Sequence, residues 1–165
     1  MYAMMVDEQY LKAQKEEGVS LDDLLDPSII AHNAAIRDLP ADLTVAMHLC
    51  RGNLPKGSLA AVGGYQDMAR TLFNKLDYKR FALEYDNAEI TGDFTPLQHL
   101  PSDKLIVLGI VTTKDSELED LGQLKNQVLE AADIIAKVQF VSLSIKSRII
   151  TLMNNRHKVR LANRL

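Results

Sequence analysis

The residues of this chain that are able to do chemistry sit at the ends of short apolar runs. "LTVAMHL" leads into His48-x-Cys50, "RFALEYD" closes on Glu84-Tyr85-Asp86, and "YAMMVDE" closes on Asp7-Glu8. On an extended strand residues i and i+2 face the same side about 6 to 7 Å apart, so His48 and Cys50 project together. An imidazole and a thiolate, joined by a carboxylate from a neighbouring strand, form a donor set that zinc accepts in a tetrahedron at roughly 2.0 to 2.3 Å. The same spacing also suits a buried cysteine beside an ordinary histidine, and H-x-C by itself leaves both readings open. Asp7 and Glu8 face opposite sides of an extended run and are not a carboxylate dyad by default.

Five runs have the length and residue types of strands: 2–8, 43–49, 80–86, 104–113 and 137–145. Helical patterns lie between them. Asp26-Pro27 reads as a helix start for "DPSIIAHNAAIRDL", with Ile29, Ile30, Ala34 and Ile36 as its apolar positions. "YQDMARTLFNKLD" spaces Met68, Leu72, Phe73 and Leu76 along one face, and "SELEDLGQLKNQVLEAADIIAKV" does so with Leu118, Leu121, Leu124, Val128, Leu129, Ala132 and Ile135 behind a Ser116/Glu119 capping box. Strands alternating with such helices predict βαβ crossovers and a parallel α/β sheet, whose chemistry gathers at the carboxyl ends of the strands.

The 165 residues are 47% hydrophobic and 25% charged with a net charge of -3, the profile of one soluble globular domain. Mild acidity disfavours a nucleic-acid binder, and no apolar run of about 18 residues calls for a membrane span. One cysteine cannot form an internal disulfide and no leader-like segment opens the chain, so the expected setting is the reducing cytoplasm. A basic, acid-free stretch holding Lys146, Arg148, Arg156, Lys158, Arg160 and Arg164 sets residues 146–165 apart as a helical tail. His32 and His99 read as surface residues. The "VGGY" glycines suit a loop before a helix or an anion site at its start, and Asp86-Asn87 suits a turn cap.

Taken together, "LPADLTVAMHLCRGN", "GGYQDMARTLFNKLDYKRFALEYDN", "GDFTPLQHLPSDKLIVLGIVTTKDSELED" and the "MMVDEQYL" segment resemble the cobalamin-independent methionine synthase family over about residues 2–144, and most closely its short members. The resemblance implies a (β/α)8 TIM barrel that binds zinc and moves a methyl group from methyltetrahydrofolate to a thiol such as homocysteine. Carried over position by position, it implies His48, Cys50 and Glu84 as zinc ligands and Asp7 as a contact of the substrate's amino group. Zinc would then activate a thiol, which coordination deprotonates outright.

Ser147 stands where the family places a second cysteine ligand, and "LGIVTT" lacks a histidine that full-length methionine synthases carry. Five strands would match the fourth to eighth of the family barrel, giving a partial barrel over residues 1–145. Its open edges imply a homo-oligomer. The expected behaviour is weak, partial zinc occupancy with little turnover. The alternative is a truncated, inactive family member that persists as an oligomeric or metal-binding remnant.

Overall fold

The computed structural model describes residues 2–52, 59–112 and 117–135. Within them the chain is a mixed α/β fold: a 3₁₀ turn (Met4–Val6), α1 (Glu8–Glu16), α2 (Leu21–Ile36), β1 (Ala46–Leu49), α3 (Gln66–Lys75), β2 (Arg80–Glu84), α4 (Ala88–Thr91), a second 3₁₀ turn (Thr95–His99), β3 (Leu105–Gly109) and α5 (Leu121–Ile134). The three strands form one parallel sheet in the order β1-β2-β3, with Leu49 opposite Leu83 and Glu84 opposite Gly109.

Strict alternation decides the sheet's two faces. Met47 and Leu49, Phe81 and Leu83, and Ile106 and Leu108 are buried in the core together with Met68, Leu72 and Phe73 of α3 and Leu76 just beyond it. Phe73 meets Phe81 edge-on with centroids 5.1 Å apart. The opposite face carries exposed Ala46 and His48 and half-buried Ala82, Glu84, Val107 and Gly109. Asn33 ties α2 to the end of α3 by donating to the Lys75 carbonyl and accepting from the Asp77 amide.

Three expectations change here. Residues 2–8 are not a strand: Met4–Val6 coils into a 3₁₀ turn, and Asp7 caps α1. An extended segment keeps that conformation through ladder bonds, and here the local turn together with Asp7 bonds satisfies the backbone instead. The second helix starts at Leu21 rather than Pro27, because Ser20 and Asp23 close a reciprocal capping box and Pro27 sits inside the helix. The last helix starts at Leu121 behind Asp120, leaving Leu118 outside it and 62% exposed; Ser116 lies outside the described residues. Three strands are present among the described residues; the run 137–145 and the basic tail lie outside them. No helix there is long and apolar enough to cross a membrane.

Candidate metal centre

His48 stands on the uncovered face of β1, Cys50 follows one residue after the strand, and Glu84 closes the adjacent strand β2. All three therefore sit at the carboxyl end of the sheet. One ligand atom from each lies within 4.8 Å of the others. Two strand ends in register produce this convergence without any long loop, since β1 and β2 pair through Leu49 and Leu83 immediately before Cys50 and Glu84.

The local bonds suit a metal. His48 Nδ1 lies 3.2 Å from the Ala82 carbonyl, which only accepts, so in the neutral ring Nδ1 donates and Nε2 is the nitrogen with a lone pair to offer. Cys50 Sγ accepts from the Gly52 amide at 3.3 Å. Glu84 Oε2 accepts from the Arg51 amide at 2.9 Å, a bond that does not exhaust a carboxylate's lone pairs. Ligands of one tetrahedral zinc stand about 3.3 to 3.8 Å apart given the bond lengths involved, so a contraction of roughly 1 Å would complete the set. The donor set and its spacing fit zinc.

A cleft of about 410 Å³ opens beside these residues, lined in part by Tyr2, His32, His48, Cys50 and Tyr78. His32 is therefore not plain surface. It is half-buried, with its Nδ1 3.3 Å from the Tyr78 hydroxyl and its ring 5.2 Å from that of Tyr2. Burial, reinforced by the Tyr78 hydroxyl, pushes the Tyr2 phenol up to about 12. His99, at the end of the second 3₁₀ turn, is half-buried as well.

Asp7 is occupied structurally. Its Oδ1 accepts from the Gln9 and Tyr10 amides and its Oδ2 from the Val62 amide at 3.1 Å, so it both caps α1 and pins the loop after residue 59. The Tyr10 bond, then the Val62 bond, hold its carboxyl below the ordinary value of 3.8. A depressed folded-state pKa contributes stability that is present above the unfolded value and lost as pH falls through the folded one. Asp7→Asn should therefore lower stability above about pH 5, where the parent's carboxylate is ionised and bonded, and converge on the parent below about pH 3, which flattens the acid limb. An acid limb identical to the parent's in urea unfolding at pH 3 and pH 6 would refute that role.

Two residues not singled out from the sequence organise the site. Arg51, which directly follows the His48-x-Cys50 pair, is 2% exposed, and Tyr65, the first residue of the "YQDMARTLFNKLD" helical pattern, is also 2% exposed. The Tyr65 hydroxyl accepts from Arg51 Nη1 at 2.6 Å and from the Glu84 amide at 3.1 Å. Burial outweighs the Arg51 charge and raises the Tyr65 phenol, which keeps it a neutral hydroxyl. An arginine directly behind a strand-end cysteine was the available signal. In the "VGGY" loop the Gly63 amide donates to the Ile90 carbonyl, which favours the plain-loop reading over an anion site.

No protein-family model matches the chain. A solved structure does resemble it. That structure is a Listeria monocytogenes protein provisionally named a vitamin-B12-independent methionine synthase; it is 32% identical, superposes with a TM-score of 0.52, and is matched over 79% of this chain and 37% of its own. Two Bacillus subtilis proteins, YxjG and YxjH, both called uncharacterized, are 38% and 41% identical over 82% and 67% of this chain. The chain spans 35% and 29% of their respective lengths. Its mixed α/β fold, with a small parallel sheet, is thus similar to a methionine synthase fold.

Proposed function

We propose that this chain carries the zinc-binding strand ends of a cobalamin-independent methionine synthase-like S-methyltransferase, with His48, Cys50 and Glu84 as protein ligands. The observation that supports this best is the mutual 4.8 Å approach of an imidazole, a thiol and a carboxylate at the carboxyl end of parallel strands. In this reading the sheet is part of a (β/α)8 barrel, methyltetrahydrofolate is the methyl donor and a thiol such as homocysteine the acceptor. Zinc, when bound, supplies the Lewis acidity that keeps the acceptor thiol deprotonated.

The chain's own residues do the rest. Ala82 fixes the His48 ring through Nδ1, the Arg51 amide orients Glu84, and the cleft beside Cys50 offers room for the acceptor's stem. Asp7 retains carboxylate lone pairs beyond its three backbone bonds with which to meet an amino group. Among the described residues the outer edges of β1 and β3 carry no partner strand, and a second copy would add strands there.

A second reading has its own support. The chain spans only about a third of the length of its relatives, and a barrel of this kind takes about 250 residues, so in this reading these residues bind metal without turning over by themselves. One experiment addresses both. The full chain is titrated with zinc against a chromophoric chelator and then assayed for methylation of homocysteine by methyltetrahydrofolate. One weak equivalent of zinc without methyl transfer supports the metal-binding remnant; zinc with methyl transfer supports the enzyme. Absence of any saturable zinc binding would sink the metal centre in either form.

A further inference from the structure

We infer that Arg51 is the positioning residue of this centre: its buried side chain locks the end of β1 so that its own amide holds the Glu84 carboxylate beside His48 and Cys50. This rests on the zinc reading above. Arg51 Nε and Nη2 donate to the Gly63 carbonyl at 3.1 and 2.6 Å, and Nη1 donates to the Tyr65 hydroxyl at 2.6 Å and to the Glu84 carbonyl at 3.4 Å. The guanidinium carbon also lies 4.3 Å from the centre of the Tyr65 ring. Three separate segments are thereby tied to one planar fork: the end of β1, the 63–65 loop and the end of β2.

Stability by itself does not call for an arginine here. Taking a guanidinium out of water is costly, and these acceptors are neutral carbonyl and hydroxyl oxygens rather than a carboxylate. An apolar side chain would fill the same volume without that cost. What the fork supplies, and an apolar chain does not, is a fixed direction for the backbone N–H of residue 51, the group that donates to Glu84 Oε2 at 2.9 Å. Two elements that each carry part of the donor set are thus held in one register.

The test uses the full chain with Arg51→Lys, Glu84→Gln and the double variant, and two readouts. Zinc affinity, measured by chelator competition, should fall about 10 to 100-fold in Arg51→Lys, the usual cost of losing a partner that orients a ligand. In the Glu84→Gln background the same change should cost no more than about twofold, because it acts through a group already removed. A full second loss in the double variant, or parent-like affinity in Arg51→Lys, would overturn the inference.

Amide exchange at position 51 is the metal-free readout. Arg51→Lys should speed it about tenfold or more while the amides of Phe81 and Leu83 keep their protection. Unchanged protection at residue 51 overturns the positioning role even if zinc binding is strong. A parent chain that binds no zinc refutes the metal centre instead and leaves exchange to decide. Should Arg51→Lys fail to fold, Tyr65→Phe keeps the ring but deletes the hydroxyl. It should weaken zinc binding about fivefold and loosen the residue 51 amide in the same direction; parent-like behaviour in both would count against the proposal.

Discussion

Cys50→Ala should lower the zinc affinity of this chain by at least about a hundredfold while leaving the metal-free fold intact. Loss of a mere orienting partner already costs about 10 to 100-fold, and Cys50 supplies a donor atom itself. Without it an imidazole and one carboxylate remain, a set that many surface histidine and acid pairs could match. Cys50 is exposed, so the unfolding free energy should stay within about 0.5 kcal/mol of the parent. Chelator competition and urea unfolding on the same preparation separate the two effects. Equal zinc affinity in parent and variant would show that the three groups converge without forming a metal centre.

Much of this arrangement was legible in the sequence, and the reason is specific. A strand buried on one face must alternate, so "AMHL", "RFALE" and "LIVLG" gave away their inward residues, and the polar residues at their ends had to fall at one end of a parallel sheet. Met68, Leu72, Phe73 and Leu76 are all fully buried, as their helical spacing required. Residues 2–8 misled because apolar content alone cannot tell a strand from a turn; the carboxylate of Asp7 decided the matter through three backbone amides. Pro27 misled because a proline can sit inside a helix that a stronger cap upstream has already started. Arg51 and Tyr65 stayed hidden because their importance lies in contacts between segments 12 to 33 residues apart, which no local pattern encodes.

Gly63→Ala should be among the most damaging single substitutions in the described chain, costing roughly 2 to 6 kcal/mol. The backbone there adopts φ +150°, and a Cβ built on it would overlap the carbonyl oxygen of Val6. Backbone strain of this kind costs about 1 to 3 kcal/mol and overpacking about as much again. The obstacle is main chain, so no rotamer change relieves it, and the 61–65 loop must move away from Val6. That movement breaks the bond from the Val62 amide to Asp7 and pulls the Gly63 carbonyl from the Arg51 guanidinium, so stability and zinc affinity should fall together. Gly64→Ala is the control. The atoms nearest its new Cβ belong to the far end of the Gln66 side chain, which can rotate aside, so its cost should stay below about 1 kcal/mol. Urea unfolding that ranks the two alanines equally would mean that the approach of Gly63 to Val6 is not what holds this loop against the ends of β1 and β2.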